Sequence, residues 1–262
     1  EKNGMYYKGS SGRNFNELNK DYIVNHSYEI ARGLFEAGPL DSGKYDVVFT
    51  TDCLQDFLGS FSVIYSGKST AEGKNPFKDK IETQVFSPLL NVTDCPHFEK
   101  ASFHHLFDDE GSVMEELKLI ENGVLKNFYH NSATASELNI QNNARANRST
   151  KGQLAVGGTT KVISTGETNE KELFDRPYLE IYSMQGLHSG ANSISGDFSF
   201  AISGFYHIDG QAKPFKGITL SGNFYQIMKD QIQLVGDTLH GDTHKSFFSP
   251  RIRFEKMSIS GS

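Results

Sequence analysis

Cysteine is scarce: Cys53 and Cys95 are the only two in 262 residues, and no CxxC spacing links them. That excludes a disulfide scaffold and reads as reduced thiols in a cytoplasmic protein, with neither residue marked as a nucleophile. Proline is sparse too, 7 residues against 25 glycines, which excludes collagen-like and Pro/Gly-rich coils. No stretch approaches the ~18 uncharged apolar residues of a membrane span, and mean hydropathy is negative, so the chain reads as soluble with no membrane partner. Long basic runs are missing, and 26 Lys and Arg stand against 32 Asp and Glu, a net charge of −6. Counterion release from a phosphate backbone would have little to drive it, so nucleic acid is a poor partner. No Gly-rich phosphate loop follows a strand, since Gly157-Gly158 lacks the spacing. No GxSxG elbow occurs either, and Ser189 sits in a Gly/Ser/Asn stretch without a strand-to-helix turn. The chain opens on Glu1 with no basic, apolar, small-residue signal pattern, and is expected to be a fragment.

What is present is aromatic: 20 Phe and 11 Tyr are far too many for a solvated coil. The length suits one large or two small domains at about 100–200 residues each. Ile23, Ile30, Ala31 and Leu34 fall at helical spacing within 18–38, and Gly38-Pro39 is a stop signal. A short apolar strand is predicted at 45–50. Asp52 then stands where an N-cap belongs, before a helical face of Leu54, Phe57, Leu58, Phe61 and Ile64. The polar stretch 67–80, with Pro76, reads as an exposed loop. A strand is predicted at 85–92. Further on, 113–121 and 124–129 meet across Asn122-Gly123, a strong hairpin signal because both central residues must take positive φ. Asp209-Gly210 repeats the device between 198–208 and 215–220, suggesting a duplicated β layer without a true repeat. Phe224, Ile227, Met228, Ile232 and Val235 form another helical face, opened by Asn223 and closed by Gly236. Ile252, Phe254, Met257 and Ile259 end the chain as strand, while 135–161 carries no clear pattern. The fold class is α+β: a helix-strand-helix segment, then a mostly antiparallel β-sheet with one late helix.

Nine histidines invite a metal reading. In His240-Gly241-Asp242-Thr243-His244 the two imidazoles would face one ion on a helix, but Gly241 and the following Phe247, Phe248 and Pro250 make a loop, and a zinc hydrolase would carry Glu rather than Gly at 241. A polar loop is the plainer reading. His104 and His105 are adjacent, so a strand would point them to opposite faces. Asp108-Asp109-Glu110-Gly111 groups three carboxylates that could do acid/base work or hold a cation, or simply form an acidic turn.

Several stretches recur together in one known family. They are LHSGANSISGDFSFAISGFYHIDGQAKPFKGITLSGNFYQIMKDQIQLVGD from Leu187, VFSPLLNVTDCP, FDDEG followed by LIENGVLKNFYHN, and the closing SPRIRFEKMSISG. Taken in chain order these motifs resemble the C-terminal region of the TldD/PmbA family, over about 45–261. The resemblance implies a C-terminal domain at 45–262, with 1–44 as the end of an N-terminal region. It implies a two-protein peptidase in which TldD-type subunits carry HExxxH on the helix after the first strand of this region, completed by a ligand near the C-terminus. TldE-type subunits resemble them without the ligands. In this chain that helix reads DCLQDFLGSF over 52–61, no histidine occurs between His26 and His97, and the end has no cysteine. No catalytic, cofactor-binding or metal residue is therefore assigned, and no cofactor. The function implied is a TldE/PmbA-like, non-catalytic subunit acting with a TldD-like metallopeptidase, or as a homo-oligomer, on unfolded or leader peptides. Two other readings stay open: a hydrolase using His104 or His105 with the acidic turn, or His240 and His244; and a stand-alone peptide-binding module using open strand edges.

Overall fold

The computed structural model describes residues 4–150 and 152–261; residues 1–3, 151 and 262, which fall within the expected units 1–44 and 45–262 and the unassigned stretch 135–161, lie outside the described residues. In chain order the helices are α1 (Lys20–Phe35), α2 (Thr51–Gly59), α3 (Gly67–Ala71), α4 (Ser132–Leu138), α5 (Glu170–Leu173) and α6 (Phe224–Asp230). The strands are β1 (Gly43–Phe49), β2 (Val92–Asp94), β3 (Leu117–Glu121), β4 (Val124–Leu125), β5 (Ala146–Arg148), β6 (Leu154–Val156), β7 (Lys161–Ile163), β8 (Tyr178–Gln185), β9 (Asp197–Ile208), β10 (Gln211–Asn223), β11 (Ile232–Gly241) and β12 (Phe247–Ser260). This is the α+β class expected, dominated by one ten-stranded sheet. Its pairings are antiparallel except β1 with β8 and β7 with β12. The pairings β1–β8, β8–β9, β9–β10, β10–β12 and β12–β1 close on themselves, so this part of the sheet is a ring rather than an open layer.

Phenylalanines fill the centre. Phe57 on α2 is fully buried, stacks on Phe49 of β1 at 5.2 Å, and meets Phe198, Phe200 and Phe224 edge-on at 5.1, 6.4 and 5.3 Å. Each buried ring contributes about 1.5–3 kcal/mol by leaving water, and each such ring pair adds about 0.5–1.5 kcal/mol. That packing fixes α2 against the ring of strands.

Both dipeptides form hairpin turns: φ is +49° at Asn122 and +77° at Gly123, and +52° at Asp209 and +73° at Gly210. The two hairpins, β3–β4 and β9–β10, belong to one sheet rather than to duplicated layers. Other expectations need correction. The N-cap of α2 is Thr50, whose Oγ1 accepts from Cys53 N at 3.4 Å, and Asp52 sits within the first turn. The helical face also breaks, because α2 stops at Gly59 and Ile64 lies in the separate 3-10 turn Ser62–Tyr65, although Phe61 and Ile64 are buried as expected.

The stretch 67–80 is exposed over 72–74 and 78–80, as expected, but it is anchored rather than a free loop. It contains α3, the buried Asn75 donates to Ile64 O at 3.2 Å, and Phe77 packs on Phe86 at 5.7 Å. Only Val92 of the predicted strand 85–92 is in a strand: the amides of Val85 and Phe86 both donate to Gly123 O, and Pro88 has no amide with which to continue a ladder. The strands around Asn122-Gly123 are shorter than expected, 117–121 and 124–125. The late helix ends at Asp230, and Ile232 and Val235 belong to β11. A register shift between Ile232 and Leu234 lets two residues three apart both face the core, which imitates helical spacing. The unassigned stretch supplies most of α4 together with β5, β6 and the start of β7.

Candidate functional site

The N-terminal turn of α2 meets the β11–β12 turn at one corner of the domain. Asp52 Oδ1 accepts from Thr243 N at 2.7 Å, and its Oδ2 pairs with Lys8 Nζ. Burial works against the Asp52 anion, but the Lys8 and Thr243 hydrogen bonds outweigh it and hold the carboxyl below its usual range. One turn further, Gln55 Nε2 donates to Ser246 Oγ at 3.2 Å. The β11–β12 turn is shaped by the buried Asp242, whose Oδ1 accepts from Ser246 N and Phe247 N, both at 2.7 Å, and whose Oδ2 accepts from His244 N at 3.0 Å. Asp56 faces the same corner, and burial, then the Asp52 and Asp242 charges, push its carboxyl up.

The segment leading into α1 crosses this corner. Gly9 packs so closely on Thr243 that a Cβ there would lie 2.7 Å from Cγ2. Behind Lys8, Tyr6 stands edge-on to His26 and Tyr182, each at 5.8 Å. Burial lowers the His26 imidazole, with Lys8 adding to the effect.

The family profile described as the PmbA/TldA metallopeptidase C-terminal domain matches residues 42–261. The chain belongs to this family. An uncharacterised protein of Methanocaldococcus jannaschii is 28% identical, over 75% of this chain and 47% of its own length. A Buchnera aphidicola protein named metalloprotease PmbA homolog is 23% identical over 96% of this chain and 54% of its own. A crystal structure from Thermotoga maritima, described as a candidate modulator of a DNA gyrase, is 29% identical with a TM-score of 0.83 over 95% of this chain and 57% of that one. TldE from Thermococcus kodakarensis shares the fold, with a TM-score of 0.84 at 22% identity over 96% of this chain and 58% of that one. The chain spans about half the length of the curated relatives it matches.

The family name implies a metal, so the donors at the corner matter. A catalytic zinc needs typically three His, Cys or carboxylate ligands and an open position. Here α2 offers Asp52 and Asp56; the first is committed to Lys8 and Thr243, and Asp242 spends its oxygens on three backbone amides. Among the described residues no three His, Cys, Asp or Glu side chains converge closely enough to hold an ion. These residues do not fit a zinc site.

The other candidates lie elsewhere. His240 is on β11 opposite Ser249 and is held down in pKa by burial, then by the Arg251 charge, while His244 is in the turn beyond it. His104 and His105 sit in irregular, exposed chain rather than a strand, with His104 Nε2 3.1 Å from Phe98 O. The acidic turn is structural. Asp108 accepts from the amides of Glu110, Ser112 and Ala146 at 3.0, 2.9 and 3.0 Å; Asp109 accepts from Arg148 N at 2.6 Å and Glu110 from Ser132 N at 2.9 Å. It clasps β5 and the start of α4. Ser189 is in an exposed turn after β8. Cys53 and Cys95 are free and buried, and burial pushes both thiols up to about 12.

Sequence reasoning missed a buried ion pair. Arg145 and Asp94 are both fully buried, with Nε to Oδ2 at 2.5 Å. Arg145 also donates to the carbonyls of Asn143, Ala144 and Glu115, and Asp94 Oδ1 accepts from Thr159 N at 2.6 Å. The pair carries the loop 157–159 onto the sheet. The partners lie 51 positions apart, Asp94 on β2 and Arg145 just before β5, and no local signal announces the pair.

Proposed function

We propose that this chain is the C-terminal domain of a TldE/PmbA-like, non-catalytic subunit, with 45–262 as that domain and 1–44 as the end of a preceding region. It works with a TldD-like metallopeptidase, or with a second copy of itself, on unfolded or leader peptides. The observation that carries the reading is the corner where α2 meets the β11–β12 turn: Lys8 supplies its positive charge, Asp52 and Asp242 are engaged by Lys8 and by backbone amides, and among the described residues no three ligands are placed to hold an ion. A cytoplasmic setting is consistent with two unpaired, buried thiols. No helix among the described residues is long and apolar enough to cross a membrane.

The test mixes the purified chain with a TldD-like metallopeptidase and follows complex formation by size exclusion and cleavage of an unstructured peptide. The expected result is a mixed complex whose cleavage exceeds that of the partner alone, with none from this chain by itself. No complex and no change in cleavage would overturn the proposal.

A further inference from the structure

A cavity of about 440 Å³ lies between the 3-10 turn Ser62–Tyr65, α3 and the loop 157–159, and Lys161 of β7 is part of its wall. Among the described residues the Lys161 ammonium has no ion pair. Its neighbour is the Tyr65 ring, whose centroid is 5.6 Å away. Asp94, its register partner on β2, is already taken by Arg145 and Thr159.

Tyr129 lines the same cavity, 5% exposed, with a hydroxyl that has no hydrogen-bond partner. Gly158 closes over that hydroxyl so tightly that any Cβ there would overlap it, which assigns a packing role to one of the paired glycines. Ser66 Oγ accepts from Ser69 N at 3.1 Å and keeps its own proton to donate. A half-buried cation without a counter-ion and a buried phenol without an acceptor are each costly, and one ligand chemistry relieves both.

We propose that this cavity binds a small oxyanion, a carboxylate or a phosphate, with Lys161 as its charge partner and Tyr129 and Ser66 as hydrogen-bond donors. Burial pulls the Lys161 ammonium below the usual lysine range, with Asp94 opposing, and a bound anion restores it. The volume far exceeds the ~30 Å³ share of one water, so the anion can be the end group of a larger molecule. The site lies beyond the C-terminal end of α2 and does not depend on the partner proposed above.

The test measures thermal shifts and calorimetric titration with sodium phosphate and sodium acetate, against sodium chloride at matched ionic strength. The wild type should show saturable stabilisation by an oxyanion and none by chloride. Lys161→Gln should weaken binding about tenfold or more, and Lys161→Arg should retain it. Tyr129→Phe deletes only an unpartnered hydroxyl, so it should fold with an unchanged melting temperature and bind several-fold more weakly. A short peptide with a free C-terminus binding more tightly than its amidated form assigns a peptide carboxylate; saturation by phosphate with no peptide preference assigns the free ion. No saturable binding to the wild type, or equal binding in wild type, Lys161→Gln and Tyr129→Phe, overturns the proposal.

Discussion

Asp52 accepts its hydrogen bond from Thr243 across 191 positions of sequence, joining the first helix of the family domain to its last turn. By the resemblance, TldD-type subunits carry HExxxH on the helix corresponding to α2, completed by a ligand near the C-terminus; in this chain the start of that helix is occupied differently. The Lys8 ammonium stands beside Asp52, and the Thr243 amide completes the carboxylate's shell. The charge of a carboxylate engaged in this way is already balanced, and the nearby ammonium repels a cation.

Arg145 and Asp94 set the first prediction. Both are fully buried, so removing one partner strands the other in low dielectric. Arg145→Met should cost about 3–5 kcal/mol in denaturant unfolding. Adding Asp94→Leu to it should cost less than the sum of the two single changes, because the second removes a charge the first has orphaned. Strict additivity would mean that the pair is not a unit.

Two hairpin glycines with the same backbone sign should respond differently to alanine. Gly210 has φ +73° with open space around it, so Gly210→Ala should cost about 1–2 kcal/mol of left-handed strain. Gly123 has φ +77° and is packed against the carbonyls of Phe86 and Ser87, so a Cβ there must also displace backbone. Gly123→Ala should therefore cost about 3 kcal/mol or more, measured as a lowered denaturation midpoint. Equal losses would contradict this packing.

These turns were legible because their chemistry is local: Asn-Gly and Asp-Gly announce positive φ without reference to the rest of the chain. The start of α6 was legible for the same reason, through Asn223. Its end was not, since the register shift at Ile232 gave a strand the spacing of a helix. Thr50 and Asp52 are both good caps, and what separates them is non-local: Asp52 is drawn away to Lys8 and Thr243. β8 carries no clean alternation, because Tyr178 and Leu179, adjacent residues, are both buried. At the corner, the missing histidines were readable from sequence. The role of Lys8 was not, because 44 positions separate it from Asp52. The Lys161 cavity draws on segments near 62, 129, 158 and 161, which are far apart in sequence and meet only in the folded chain.

Histidines set the acid side of stability. Burial lowers the pKa of His130, of His26 with help from Lys8, and of His240 with help from Arg251. Unfolded, each takes up a proton near pH 6.5; folded, each does so only at lower pH. Between those values the unfolded chain binds more protons, so this stability is fully present above about pH 6.5 and is lost as pH falls through the folded values. Denaturant midpoints should therefore decline from pH 8 to pH 5, and His130→Gln should flatten the decline. A midpoint that rises on acidification over this range would reverse the sign argued here.

The last prediction concerns chemistry: the chain should hold no stoichiometric zinc and cleave no peptide by itself. A zinc that lowers the pKa of water toward about 7 needs typically three ligands on one ion and a base beside it. On α2 the candidates are carboxylates, one locked to Lys8 and Thr243 and the other, Asp56, pushed toward its neutral form by burial and like charges. His240 lies on a strand opposite Ser249 and His244 in a turn held by Asp242, so the two differ in backbone setting, and among the described residues no third donor joins them on one ion. A thiolate is equally unready, since burial holds the Cys53 and Cys95 thiols at about 12. The measurement is metal analysis of chelator-washed protein together with a peptidase assay with and without added zinc. One tightly held zinc per chain, with activity that dies on His240→Ala or His244→Ala, would displace the non-catalytic reading and restore a hydrolase built on the β11–β12 turn.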